Sequence, residues 1–175
     1  MRKFVTLALL AAMPVPTVLA QDQSELSAPI FATGGTPAGT LEMRDTPNGV
    51  LVTATFEQGV VPAGVHAVHF HETGDCSDTE AFESAGGHHN PTGAEHGYHP
   101  EAGPHAGDLP NFVIVEGQTT AMSAFAALVR FQEGDAPLFD SDGSAFVVHA
   151  GADDYESQPS GASGDRIACA EITGQ

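Results

Sequence analysis

Short runs of alternating apolar and polar residues recur along most of the chain. In residues 49–57, GVLVTATFE, the side chains of Val50, Val52 and Phe56 share one face, and polar threonines point the other way. This period of two is that of a strand with one buried face. The pattern predicts about eight strands and an all-β fold, because comparable runs occupy seven more segments, at 28–33, 38–44, 64–72, 112–116, 119–131, 144–150 and 166–172.

The run at 119–131, TTAMSAFAALVRF, also fits a helix. Its Thr, Phe and Val residues favour extended structure. We therefore predict a strand here and keep the helix as an alternative.

Turn sequences such as TPNG at 46–49 separate the runs. A much longer segment, 73–111, is rich in Gly and Pro and has no regular pattern. Long irregular loops inside a compact domain usually carry function. The sequence therefore predicts an eight-stranded antiparallel Greek-key barrel or sandwich with long functional loops.

The first twenty residues have the composition of a secretory signal peptide. A basic start, an apolar run too short to span a bilayer, and small residues at Val18 and Ala20 predict cleavage before Gln21. Residues 21–27, QDQSELS, are expected to be flexible, and 21–37 to hold the mature N-terminus and the first strand, ahead of a single domain over 38–175. Export to the periplasm, or beyond the cell, follows as an expectation.

Charge excludes two classes of partner. The chain has 23 Asp and Glu against five Lys and Arg, a formal net charge of −18, and loss of Arg2 and Lys3 with the signal peptide would make it more negative. Such a chain repels nucleic acid and anionic membrane surfaces.

Cys76 and Cys169 are the two cysteines of the sequence. In a chain bound for an oxidising compartment an even pair is expected to be bonded, with two buried thiols as the alternative.

The histidines suggest two ligand sets of different character. His69 and His71 lie two apart on a predicted strand, so both imidazoles project from one face, and His149 ends a later strand. A set of imidazoles on strands suits copper, whereas a mixed set on a loop suits zinc. The loop set consists of three imidazoles and a carboxylate, those of His88, His96, His105 and Asp108.

At these residues the chain resembles the copper,zinc superoxide dismutases, especially bacterial exported members. The resemblance covers roughly 38–172. It rests on GVHAVHFH at 64–71, AGGH at 85–88 and HAGDLP at 105–110, and then on FVVH at 146–149, AD at 152–153 and GDRIAC at 164–169. The pair Ala67-Val68 departs from the family's usual Gly-Phe but leaves the ligand spacing intact.

The resemblance implies disproportionation of superoxide to dioxygen and hydrogen peroxide. It implies one redox-cycling copper and one structural zinc per subunit, bridged through a histidine. Copper would be bound by His69, His71, His88 and His149, and zinc by His88, His96, His105 and Asp108.

Other roles are also carried by the resemblance. His88 and Arg166 would be the catalytic side chains, and Asp153 would link a copper histidine to a zinc histidine. Cys76 and Cys169 would form the family's disulfide, and a homodimer is the assembly it suggests. A noncatalytic exported module that binds or delivers copper or zinc is the alternative function.

Three histidines are not assigned to a metal. His66 lies on the opposite strand face from His69, and a structural role is expected. His89 is expected to pack or to be partly solvated, and His99 to lie at the surface, with an auxiliary metal contact as its alternative.

Overall fold

In the computed structural model, residues 24–174 are described, so the predicted signal peptide lies outside them. These residues form nine strands and two short 3₁₀ helices, Thr33–Gly35 and Glu83–Ala85. The strands are β1 Glu25–Ala32, β2 Thr36–Thr46, β3 Gly49–Phe56, β4 Gly64–His66, β5 Val68–His71, β6 Phe112–Ile114, β7 Thr120–Ala126, β8 Ser144–His149 and β9 Arg166–Ile172. Among the described residues no helix is long and apolar enough to cross a membrane.

The strands form an antiparallel sheet of seven, in the order β5-β8-β9-β1-β2-β3-β7, and a pair β4-β6. Strand β4 leads directly into β5 at one end of the large sheet, and β6 precedes β7 at the other end. The β4-β6 pair therefore joins the two edges and closes a barrel. This agrees with the predicted all-β Greek-key architecture, because sheet neighbours such as β5 and β8 are distant in sequence.

Apolar positions face the barrel interior as the alternation predicted. In β3, Val50, Val52 and Phe56 are buried, whereas Leu51 on the other face is half exposed. The ring of Phe56 stacks on that of Phe112 with centroids 5.1 Å apart, which ties the large sheet to the β4-β6 pair.

Three details of the predicted strands are corrected. The run at 119–131 is a strand and not a helix, but it ends at Ala126. The run at 64–72 is two strands, because the backbone of Ala67 turns to bond Gly151 and His149 and interrupts the pairing. Residues 25–27, expected to be flexible, belong to β1, where Glu25 pairs with Arg44 of β2.

Cys76 and Cys169 form a disulfide, as expected for an exported chain. The bond attaches the loop after β5 to the middle of β9. A small apolar cluster surrounds it, formed by Phe82, Ala85, Ala145 and Val147. The long loop is therefore anchored to the barrel beside the residues described next.

Candidate metal centre

Six histidines and two aspartates from distant parts of the chain meet at one end of the barrel. Strand β5 supplies His69 and His71, and β8 ends on His149. The loop between β5 and β6 supplies the other three histidines and one aspartate, and the loop between β8 and β9 supplies Asp153. All of these side chains are buried, and none is more than 8% exposed. They are His69, His71, His88, His96, His105, His149, Asp108 and Asp153.

The long loop reaches these strands by pairing with the free edge of β5. Phe70 donates its N–H to Gly107 and accepts one from His89, both at 2.8 Å. A Cβ on Gly107 would lie 2.4 Å from the Phe70 carbonyl oxygen, so glycine is required for this approach. Backbone pairing thus fixes His88 and Asp108, which flank the contact.

Four imidazoles direct one nitrogen each into a common space. The ligand atoms of His69, His71, His88 and His149 lie within 4.8 Å of one another. The Nε2 atoms of His71 and His149 are 3.4 Å apart, which is a close approach of two atoms that can both act as lone-pair donors. The Nδ1 of His69 and the Nε2 of His88 are buried with no hydrogen-bond partner among the described residues.

The opposite nitrogen of three of these rings is held by an oxygen. Asp153 Oδ2 is 2.8 Å from His69 Nε2, the Gly86 carbonyl is 3.0 Å from His71 Nδ1, and the Gly164 carbonyl is 3.2 Å from His149 Nδ1. Such partners orient a ligating imidazole and select its tautomer. Orphaned inward nitrogens and anchored outward ones fit a metal bound by imidazoles, which suits copper.

A second donor set surrounds one oxygen of Asp108. Its Oδ1 lies 3.1 Å from His88 Nδ1, 3.0 Å from His96 Nδ1 and 3.4 Å from His105 Nδ1. A tetrahedral ion with ligands at about 2.0–2.1 Å has neighbouring ligand atoms about 3.3 Å apart. The spacing and the mixed nitrogen and oxygen donors therefore fit zinc.

His69 also lies within 4.8 Å of the His88, His96 and Asp108 ligand atoms. Because Asp153 holds its Nε2, His69 has one nitrogen to offer and can serve only one set. His105 completes the second set, since its Nδ1 is 3.4 Å from both His88 Nδ1 and Asp108 Oδ1.

Two residues connect the sets. His88 directs Nδ1 to the Asp108 set and Nε2 to the imidazole set. Asp153 accepts from His69 through Oδ2 and from His96 through Oδ1, at 2.8 and 3.0 Å. Asp153 thus contacts one histidine of each donor set.

Burial and charge set the protonation of the site. Burial lowers the pKa of His88 to about 4 and that of His149 to about 3, and it also lowers those of His69 and His71. These imidazoles are neutral at pH 7, the form that binds metals. Burial would raise the carboxyl pKa of Asp108, but hydrogen bonds from its histidine neighbours outweigh it and lower that pKa strongly.

Arg166 lies beside the imidazole set. Its Nη1 donates to the Phe82 carbonyl and its Nη2 to the Gly86 carbonyl, both at 2.6 Å. Burial lowers the pKa of this guanidinium, which nevertheless stays charged at neutral pH. A cavity of about 580 Å³ lies here, lined in part by His71, His149, Ser160 and Arg166.

The unassigned histidines lie as expected, with one refinement. His66 is buried, and its two ring nitrogens contact the His149 and Pro62 carbonyls at 2.8 and 2.9 Å. His89 is 2% exposed and therefore packs without solvation. His99 is at the surface, 4.0 Å from Glu156.

Sequence reasoning missed three residues that hold the site. The side-chain amide of Asn111 pairs with both backbone groups of Asp153, at 2.9 and 2.8 Å, and that of Gln158 pairs likewise with His96, at 2.8 and 2.9 Å. Gly161 packs directly against Asp153. No pattern marks Gln158, whereas Asn111 follows the HAGDLP motif directly.

Comparison with known proteins decides the family. The profile of the copper/zinc superoxide dismutase family matches residues 37–172, most of the chain. The chain belongs to the copper/zinc superoxide dismutase family. The copper/zinc superoxide dismutase of Caulobacter vibrioides is 42% identical over 151 residues, covering 83% of this chain and 84% of that protein.

Two further similar proteins come from bacteria. Copper/zinc superoxide dismutase 2 of Aquifex aeolicus is 38% identical over 146 residues, covering 83% of this chain and 84% of its own. A crystal structure of a superoxide dismutase-like protein from Bacillus subtilis superposes with a TM-score of 0.77 at 32% identity, over 83% of this chain and 97% of that one. The resemblance drawn from the motifs is thereby confirmed.

Replacing Gly161 with alanine is expected to weaken zinc binding by more than about tenfold, the size typical for loss of a ligand-orienting partner. A Cβ there would lie 1.8 Å from Asp153 Oδ1 and 2.7 Å from His96 Nε2. Gly93→Ala is the control, because Gly93 has the same φ of +68° with nothing within 4 Å. Competition with a chromophoric chelator measures the affinity; equal zinc affinity in the two variants would contradict the prediction.

Proposed function

We propose that this protein disproportionates superoxide to dioxygen and hydrogen peroxide. Copper is assigned to His69, His71, His88 and His149, and zinc to His88, His96, His105 and Asp108. The observation that carries the proposal is the position of His88, whose two ring nitrogens serve two donor sets of different chemistry. Family membership supports the same activity.

When bound, copper supplies one-electron redox chemistry, which zinc lacks, so that one superoxide is oxidised and a second is reduced. The side chains supply the remaining functions. Arg166 has a fixed positive charge at the cavity, and its guanidinium has five N–H groups, two of which are held by carbonyls. It is therefore positioned to attract and orient an anionic dioxygen species.

Reduction of superoxide to peroxide consumes two protons. His88 Nε2 is buried and has no hydrogen-bond partner among the described residues, so whenever copper does not hold this nitrogen it could carry a proton to the product. Asp108 meanwhile contacts Nδ1 of the same ring and keeps its orientation fixed.

The alternative, a noncatalytic module that binds or delivers metal, predicts an incomplete donor set or a missing cavity arginine. The described residues supply both donor sets and Arg166. The geometry of the donor sets therefore favours a dismutase over a noncatalytic metal-binding module.

Superoxide decay tests the proposal directly. Protein loaded with both metals is expected to accelerate decay far above the same protein loaded with zinc alone. Tight binding of both metals without turnover would favour the module and contradict the proposal.

Zinc uptake by the metal-free protein is expected to release about one proton at pH 8. Burial lowers the pKa of His96, but Asp108 and Asp153 outweigh it and raise that pKa to about 9. At pH 8 His96 is therefore protonated, whereas a histidine of ordinary pKa is already neutral. Calorimetry in buffers of different ionisation enthalpy counts the protons. Release should fall as the pH rises above 9, and its absence at pH 8 would contradict the raised pKa.

We further propose export to the periplasm, with residues 1–20 as the signal peptide. The disulfide between Cys76 and Cys169 supports an oxidising compartment. Superoxide is the small-molecule partner of this site, and a homodimer remains a prediction. Mass spectrometry of the protein from a periplasmic fraction should find a chain that begins at Gln21; a chain that retains Met1 would contradict the proposal.

A further inference from the structure

The side-chain amide of Gln158 pairs with the zinc-set residue His96 as a strand neighbour would. Gln158 Oε1 accepts the His96 N–H at 2.8 Å, and its Nε2 donates to the His96 carbonyl at 2.9 Å. The two residues lie 62 apart in sequence, on different loops. Two bonds to the N–H and C=O of one residue fix both distance and orientation, so Gln158 holds the backbone of His96.

The segment that carries Gln158 contacts His96 a second time. Gly161 lies so close to the His96 ring and to Asp153 that a Cβ would overlap both. The segment is also tied internally, because Asp154 N–H donates to the Gly161 carbonyl at 3.0 Å and Gly161 N–H donates to the Ser157 carbonyl at 2.7 Å. Residues 154–161 therefore form a compact unit attached to His96 on two sides.

The same unit forms part of the cavity beside Arg166. Pro159 and Ser160, between Gln158 and Gly161 in sequence, line this cavity together with His71 and His149. His96 and the cavity wall are thus connected through one short segment, and Gln158 is the side chain that joins this segment to the backbone of His96.

We propose that Gln158 is a positioning residue that couples zinc occupancy at His96 to the binding of small anions at the copper cavity. The inference rests on the proposed metal assignment, but not on turnover. Zinc would hold the His96 ring through Nδ1, and Gln158 would pass that restraint to Pro159 and Ser160. Without the amide, only the contact at Gly161 would connect the segment to His96, and the response of the cavity wall to zinc would weaken.

Azide, a small anion that binds Cu(II), is the probe. Its affinity is measured by absorbance on copper-loaded protein with and without zinc, in the wild type, in Gln158→Ala and in Thr46→Ala. Thr46 is the matched control because its hydroxyl also makes two hydrogen bonds, to Gly49 and Asn48 in the β2-β3 turn. Gln158 is exposed, so its removal leaves no cavity in the core, and the variant is expected to fold.

Zinc is expected to change azide affinity by about fivefold or more in the wild type and in Thr46→Ala, the range typical of coupled sites. In Gln158→Ala the change should fall below about twofold, and zinc should bind up to about tenfold more weakly through the lost hydrogen bonds. Gln158→Met, which keeps the side-chain length, should behave the same and replaces the alanine variant if that fails to fold.

Persistence of the zinc effect in both Gln158 variants would overturn the inference, as would its absence in the wild type. Superoxide decay measured on the same samples reports the proposed activity separately. Active wild-type protein without a zinc effect would leave the dismutase standing and remove the coupling. Inactive protein with both metals bound would remove the dismutase.

Discussion

Replacing His149 with alanine is expected to lower the rate of superoxide dismutation by more than about a hundredfold. This exceeds the loss of activity typical when a residue that only hydrogen-bonds a metal ligand is removed. His149 Nε2 is 3.4 Å from His71 Nε2 in the imidazole set, and the Gly164 carbonyl holds its other nitrogen. Within residues 24–174 the imidazole set contains no further donor that could replace it. Zinc content should not change, because His149 does not belong to the zinc set.

The matched control is His99→Ala, which removes an imidazole whose side chain is 64% exposed. Its activity should equal that of the wild type. Metal analysis and superoxide decay are measured on the same preparations. Substantial activity in copper-loaded His149→Ala would show that the imidazole set is not the catalytic site.

Replacing Asp108 with alanine is expected to remove most of the bound zinc and to lower the melting temperature. Oδ1 of this carboxylate contacts the Nδ1 atoms of all three zinc histidines. Its Oδ2 accepts the backbone N–H groups of Gly97 and His105, at 2.8 and 3.0 Å. The variant therefore loses a zinc ligand and leaves buried donors unpaired.

Charge-assisted hydrogen bonds contribute about 1.5–3 kcal/mol each to the free energy of unfolding. For the metal-free variant we therefore expect this free energy to fall by about 3 kcal/mol or more. For a domain of this size it corresponds to about 6–12 °C in melting temperature. The zinc-treated protein should lose more, because the binding energy of a structural metal adds to folding stability. Differential scanning calorimetry with and without zinc separates the two contributions.

Asp108→Asn refines the test, because it keeps oxygen and shape but removes the charge. Glu101 is an exposed acid on the same loop, so Glu101→Ala is the control. It should change neither the zinc content nor the melting temperature. Zinc content and melting temperature that stay at wild-type values in Asp108→Ala would contradict the assignment of this loop to zinc.

Alternation along the chain was sufficient to predict the barrel strands and one part of the site. It placed His69 and His71 on one face, because side chains two apart on a strand point the same way. It did not predict the break at Ala67. That break depends on hydrogen bonds to Gly151 and His149, more than eighty residues away.

The loop donors were predicted as a set but not as a geometry. His88, His96 and His105 follow no period, and their arrangement comes from the docking of the loop on β5 at Phe70 and Gly107. Their roles, and those of Asp153 and Arg166, came from resemblance to a family. Gln158 belongs to no motif, and its contact with His96 appears only once both loops are folded.

Copper titration into zinc-loaded protein, with superoxide decay measured at each step, tests the central claim most directly. The claim is that one copper at the imidazole set performs the dismutation. Activity is expected to rise in proportion to added copper and to stop rising at one copper per chain. Full copper occupancy with no catalysed decay, or activity that continues to rise well beyond one equivalent, would contradict it.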